Sequence, residues 1–219
     1  MTRLAIVAML AAPAWLAAQA PLPASSPDAL ARALQQRYQT IKDFSADFVH
    51  TYRGGVLRTQ SRERGTVKIK KPGKMRWIYT APEHKEFVSD GAKIYSHIPQ
   101  DRQVLVSPVP ADGDASTPAL FLSGKGDIAR DFTAAFVESP VPDAVGLKLT
   151  PKRPEAQYEY FVVATTQPGL QIRALATHDR QGGDSVIAFM NLKENQGISD
   201  NEFVFRIPKG ADVITNGAN

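Results

Sequence analysis

No cysteine occurs in the 219 residues. That absence excludes disulfide frameworks, thiolate-bound zinc or iron–sulfur centres, thiol catalysis and a lipid carried on an N-terminal cysteine. Histidine is scarce too. His50, His84, His97 and His178 fall on separate strands or turns with no H-E-x-x-H pair, so each reads as a surface or core-edge residue and no metal is expected. A G-x-S-x-G elbow is missing, and the acidic pairs Asp43/Asp47 and Glu83/Glu86 are of a kind that any exposed strand or turn carries. The stretch Leu122-Ser123-Gly124-Lys125-Gly126 lacks the first glycine of a phosphate loop and has Gly126 where Ser or Thr is needed, which excludes nucleotide binding. The expectation is therefore a protein without catalytic residues, without cofactor and without enzymatic activity. What the chain does have is 43% hydrophobic residues, 22% charged residues and ten Phe, which fits one globular domain and not a disordered chain.

Long apolar runs are confined to the start. MTRLAIVAMLAAPAWLAAQA has a basic residue at Arg3, an apolar stretch from Leu4 to Ala12 and a small-residue site at Ala18-Gln19-Ala20, the layout of a secretory signal peptide. Residues 1–20 are read as removed, with Pro21 placing an alternative cut after Ala24, and 21–219 as one exported domain. Removing Arg3 leaves 25 basic against 22 acidic residues, too mild an excess to name a partner.

From Ser26 the sequence SPDALARALQQRYQTIKD places Leu30, Leu34, Tyr38 and Ile41 on one helical face, with Ser26 as cap and Pro27 in the first turn. The period then becomes two: Phe44, Ala46, Phe48, His50 and Tyr52 share one side of a strand. Further alternating runs are expected at 67–70, 75–79, 86–89, 92–98, 103–109, 146–151, 158–166, 170–179, 184–192 and 203–207, separated by turn signals such as Pro72-Gly73 and Asp90-Gly91. Thr117 and Pro118 open a short apolar helix at Ala119–Leu122 that Gly124 ends. About eleven sequential strands and a few short helices predict one large, curled antiparallel sheet.

Arg53, Arg58, Arg62, Arg64, Lys68, Lys70, Lys71, Lys74 and Arg76 cluster with only Glu63 among them. Trp77 and Tyr79 fall on the opposite face, so nucleic acid is not expected. The cluster reads as the solvated face of two or three strands, with anionic headgroups or an acidic partner as the second reading. Phe44, Phe48, Met75, Trp77, Tyr79, Phe87 and Tyr95 are read as crowding one face. A barrel of eleven strands is too wide for side chains to fill, and periodicity alone leaves open whether the interior collapses or keeps an apolar cavity under the helices.

The series DFSADF (43–48), KKPGKMRWIYTAPE (70–83), SDGAKIYSHIPQDRQV (89–104), TPALFLSGKGD (117–127), LTPK (149–152) and FVFRIPKGADVI (203–214) resembles the periplasmic outer-membrane lipoprotein carrier family LolA. The motifs run in order through nearly the whole mature chain. The resemblance implies an incomplete antiparallel β-barrel closed by a helical lid over a hydrophobic cavity. It also implies acylated lipoproteins as cargo, an ABC-type releasing complex of the inner membrane as donor, an outer-membrane lipoprotein receptor as acceptor, and a monomer in the periplasm. On this basis Phe48, Met75, Trp77 and Tyr79 are expected to line the cavity, and Leu34, Tyr38, Leu120 and Phe121 to cover it. Lys71 matches the family's lid-closing basic residue, commonly Arg, and Met75 matches a bulky apolar position that is often Phe. The alternatives are a periplasmic carrier of glycolipid or phospholipid, or a lipoprotein-binding sensor module on the same scaffold.

Overall fold

The computed structural model describes residues 26–54, 59–110, 121–124, 126–155 and 157–215. The leader assigned to residues 1–20 and the lid residue Leu120 lie outside them. Twelve strands form one sheet: β1 (Asp43–Arg53), β2 (Gln60–Lys70), β3 (Lys74–Ala81), β4 (Lys85–Asp90), β5 (Lys93–Ile98), β6 (Gln103–Pro108), β7 (Phe132–Val137), β8 (Val145–Pro151), β9 (Tyr158–Thr165), β10 (Ile172–Asp179), β11 (Asp184–Glu194) and β12 (Asp212–Thr215). Their order is β12-β6-β5-β4-β3-β2-β1-β11-β10-β9-β8-β7: β1 to β6 and β7 to β11 are antiparallel meanders joined where β1 pairs antiparallel with β11, and β12, against the all-antiparallel expectation, pairs parallel with β6. Alternation is the cause: β1, β2 and β3 each bury every second residue, so one face of the curled sheet is apolar and the other polar.

Helix α1 (Pro27–Gln39) lies over the apolar face. The Ser26 side chain accepts from the Ala29 N–H at 3.2 Å, Pro27 occupies the first turn, and Leu30, Ala31, Leu34 and Tyr38 are buried. A second, short helix, Ile128–Asp131, is capped by Asp127 and packs against α1 with Ile128 buried. Among the described residues no helix is long and apolar enough to cross a membrane.

Three sequence expectations need correction. First, β7 and β12 were not foreseen. Two alanines, Ala134 and Ala135, flatten the contrast in β7, which is an edge strand with Phe136 exposed, and β12 is four residues long and exposed on both faces. Second, Phe203–Ile207 is not a strand. The segment after β11 crosses the outer face, where Phe203 is fully buried and Phe205 stacks on Tyr95 at 5.2 Å; Tyr95, expected on the face of Phe48 and Trp77, thus points outward, in register with Val88 and not with Phe87. Its two-residue alternation comes from lying on a sheet face and not from pairing beside an edge. Third, the basic cluster is not simply a solvated face. Lys68 pairs with Glu202 at 2.7 Å, Lys70 and Lys74 meet Asp200 at 2.7 and 3.1 Å, and Arg76 meets Glu86 at 2.6 Å and the Glu202 carbonyl at 2.6 Å. Asp200 and Glu202 sit on the crossing segment, far away in sequence, while Glu86 is on the neighbouring β4.

Asp43 is likewise buried and not an exposed carboxylate. Its two oxygens accept from the Gln196 and Gly197 N–H groups at 2.7 and 3.1 Å, and its carbonyl accepts from Asn195 at 2.7 Å, pinning the start of the crossing segment. Gly65 is fixed by space. A Cβ there would stand 1.9 Å from the Ile78 carbonyl oxygen and 2.9 Å from the Phe48 ring. Gly65→Ala is therefore expected to lower stability by about 2 kcal/mol or more, read as a lower urea midpoint at unchanged m-value; an unchanged midpoint would contradict this packing.

Candidate functional site

The register of β1, β2 and β3 assembles the inner wall. Phe48 faces Gly65, which faces Tyr79, while Val67 faces Trp77 and Ile69 faces Met75. With no side chain at Gly65 the rings on either side meet. Phe48 lies edge-on to Tyr79 at 4.9 Å and to Trp77 at 5.2 Å, Tyr79 touches Phe87 at 5.7 Å, and Trp77 reaches Phe189 across the seam at 6.2 Å. Phe48, Met75, Trp77 and Tyr79 are all buried together on one face. The facing half of the wall, Leu147, Leu149, Phe161, Ile172, Leu175 and Phe189, belongs to the same apolar cluster and is absent from the residues singled out by sequence. Alternation in 146–151, 158–166 and 170–179 held that signal.

The lid has two pieces. Leu34 and Tyr38 come from α1, and Phe121 and Leu122 from a helical turn before Gly124; Tyr38 stacks on Phe121 at 5.0 Å and Phe121 approaches Phe161 at 6.5 Å. The turn between β2 and β3 ties both pieces to the sheet, Lys71 holding α1 and Gly73 the turn after Leu122. The Lys71 Nζ donates to the Tyr38 carbonyl and lies 3.5 Å from the centre of the Tyr38 ring, a cation–π contact. The Tyr38 hydroxyl donates to the Leu122 carbonyl at 2.5 Å, and the Gly73 N–H donates to the Ser123 carbonyl at 2.8 Å. Gly124, at φ 86°, passes so close that a Cβ would stand 3.0 Å from the Lys71 side chain. Sequence reading missed three further ties: the Arg37–Glu194 ion pair, the Ile128 N–H donated to Gln35 Oε1 at 3.0 Å, and the Lys42 N–H donated to Asn195 Oδ1 at 2.8 Å.

Among the described residues a void of about 10 Å³ lies between Tyr38, Ile41, Phe44, Leu122, Ile172, Phe189, Leu192 and Glu194, room for at most one water. Among the described residues no group of three or more His, Asp or Glu could hold a metal.

The charge in the latch is costly. Burial, and next the neighbouring Arg37, lower the Lys71 ammonium from its ordinary 10.5 to about 8, against the pull of Glu194. Burial also raises the Tyr38 hydroxyl well above 10, so it remains a donor.

Residues 39–206 match the family model "Outer membrane lipoprotein carrier protein LolA". An outer-membrane lipoprotein carrier protein from Chromohalobacter salexigens is 36% identical over 199 residues, covering 90% of this chain and 92% of the relative. One from Cupriavidus taiwanensis is 29% identical over 214 residues, covering 95% and 97%. The solved structure of an uncharacterized conserved protein from Thermus thermophilus shares the fold, with a TM-score of 0.54 at 13% identity over 85% of this chain and 99% of that one.

Lifting α1 from Lys71 would return its ammonium toward 10.5, so a lifted state would hold the proton more tightly than the covered one. Between about pH 8 and 10.5 rising pH therefore favours closure, whereas below 8 the closed state bears the desolvation of the charge. A Lys71 side-chain NMR titration is expected to show a midpoint near 8. Spin labels on Gln36→Cys and Lys93→Cys, both exposed in a chain free of cysteine, should show the open fraction falling above pH 8, a trend that Lys71→Met removes.

Proposed function

This chain belongs to the LolA family of outer-membrane lipoprotein carrier proteins, and we propose on that premise that its concave wall takes up the acyl chains of a lipoprotein in exchange for its own lid. The observation that carries the reading is the latch: a wide apolar face kept from water by side chains that polar ties, Lys71 foremost, hold in place. Each exposed methylene costs about 0.8 kcal/mol, so a triacylated N-terminus needs such a cover to cross an aqueous compartment. Phe48, Met75, Trp77 and Tyr79 form the lining, Leu34, Tyr38, Leu120 and Phe121 the cover, and Lys71 the closing residue. Because the closed state buries part of a charge at neutral pH, the lid is held loosely, as loading and unloading require.

The carrier works in the periplasm after residues 1–20 are removed. It receives cargo from an ABC-type complex of the inner membrane and delivers it to an outer-membrane receptor, acting as a monomer and without catalysis. The names borne by the curated relatives favour lipoprotein over glycolipid or phospholipid cargo and over a sensor role.

Trp77 is the one tryptophan left after the leader, which contains Trp15. A triacylated lipopeptide is expected to give a saturable change in Trp77 emission, and native mass spectrometry of protein purified from a periplasm without detergent should show a lipoprotein adduct. Met75→Glu is expected to lose at least tenfold in affinity, while Met75→Leu keeps it. Equal binding by both variants would remove Met75 from the lining, and a silent Trp77 with no adduct would remove the carrier reading.

A further inference from the structure

The concave wall changes character along the strands. Phe48 and Trp77 are apolar and buried; two residues further along β1 comes His50, paired in register with Glu63 of β2, and along β3 comes Tyr79, paired with Lys85 of β4. Ser185 of β11 completes the group: His50 Nε2 lies 2.8 Å from Ser185 Oγ, and His50 Nδ1 lies 3.4 Å from both Glu63 Oε2 and the Tyr79 hydroxyl. Lys85 pairs with Glu63 and stands 5.2 Å from the centre of the Tyr79 ring. The side chains of His50, Glu63 and Lys85 are 20%, 13% and 22% exposed, at the boundary between the apolar wall and water. This cluster lies at the end of the wall away from Lys71, and neither the lid nor the latch uses it.

Its charges cancel. Lys85 is balanced by Glu63, and burial, the largest influence on His50, lowers its pKa, which favours a neutral ring at neutral pH. The partners then select the tautomer with the proton on Nδ1, facing Glu63, and Nε2 accepting from Ser185. Burial, with Glu63 second, pushes the Tyr79 phenol up to about 12, so it stays protonated. What remains is a set of donors without net charge: the Ser185 and Tyr79 hydroxyls and the Lys85 N–H groups that Glu63 does not take. Among the described residues of the cluster an anionic phosphate finds no uncompensated cation and a cationic head no uncompensated carboxylate. A neutral acceptor next to long apolar chains is the group that fits.

We propose that Ser185, Lys85 and Tyr79 receive the ester carbonyls that join the acyl chains to the glyceryl-cysteine head of the cargo, while the chains themselves lie on the Phe48–Trp77 wall. This rests on the carrier reading and adds a polar subsite that sets how deep the head sits. Loading is an exchange of partners: the Ser185 hydroxyl turns from His50 Nε2 to a carbonyl, and His50, whose side chain is 20% exposed, turns Nε2 to water. The site also distinguishes an acylated cysteine from a bare hydrocarbon, which the wall by itself does not.

The test pairs a change in the ligand with a change in the protein. Trp77 emission is titrated with a diester lipopeptide and with its diether analogue, which has the same chains but no ester carbonyls, in the wild-type mature chain and in Ser185→Ala/Lys85→Gln. Wild type is expected to prefer the diester by roughly tenfold, as two modest hydrogen bonds provide, and the variant to bind both ligands at the diether level. The same preference in wild type and variant overturns the subsite and leaves the carrier reading standing. Failure of wild type to bind either ligand overturns the carrier reading itself. Phosphatidylglycerol of the same chain length carries the same ester carbonyls beside a phosphate that Lys85, already paired with Glu63, does not balance, and is expected to compete more weakly; competition as strong as that of the diester lipopeptide would assign the site to membrane lipid and overturn its assignment to cargo. If circular dichroism shows the double variant unfolded, Ser185→Ala alone is read in the same way with a smaller expected loss of preference.

Discussion

The rest of the structure depends on a sheet that curls with its apolar face inward and does not close on itself. Twelve strands in one open array end at β12 and β7, and among the described residues no strand pairing joins those edges. A closed barrel of similar size would have a fixed lumen; an open one must be covered by something that is not a strand. Here the cover is α1 and the turn containing Phe121 and Leu122, and the hydrophobic effect that drives the sheet to form also draws them onto it. The lid is thus part of the core while it is shut. On the proposed reading, accommodation of a guest is therefore an exchange of partners.

The polar ties decide how readily that exchange proceeds. An Arg at the position of Lys71 would offer a planar, always charged fork to the carbonyls of the lid. Lysine offers a compact ammonium whose charge is disfavoured by burial, partly relieved by the Tyr38 ring and the Tyr38 carbonyl. The other ties, among them Tyr38 to Leu122, Gly73 to Ser123, Arg37 to Glu194 and Ile128 to Gln35, are spread over several places. No single bond carries the closed state, and the loss of any one leaves the others in place.

Much of this was readable in the order of residues, and the parts that were not share a cause. Helix α1, the hairpins of the first meander and the wall of Phe48, Met75, Trp77 and Tyr79 follow from short-range periodicity, which the chain states plainly. β7 was hidden because Ala134 and Ala135 blur inside and outside. The crossing segment was misread because Phe203 and Phe205 alternate for a reason other than strand pairing. Lys68, Lys70 and Lys74 looked bare because Glu202 and Asp200 lie more than a hundred residues downstream. Ser185 and His50 gave no hint of each other for the same reason: only the seam between β1 and β11 brings them together. Local rules reveal elements; neutralisation and clustering are long-range facts.

That seam has a further meaning for the history of each molecule. β1 is the first strand to leave the ribosome and sits near the middle of the sheet, yet one of its two neighbours, β11, comes from the far end of the chain. The first meander can pair within itself early, but the inner wall stays half built until the last long strand arrives, and closing so large a loop is slow. Through that interval the aromatic side of β1 and β3 faces solvent without its opposite wall. The order of synthesis thus leaves the growing polypeptide loose for most of its length, a condition that suits a chain threaded through a membrane before it folds.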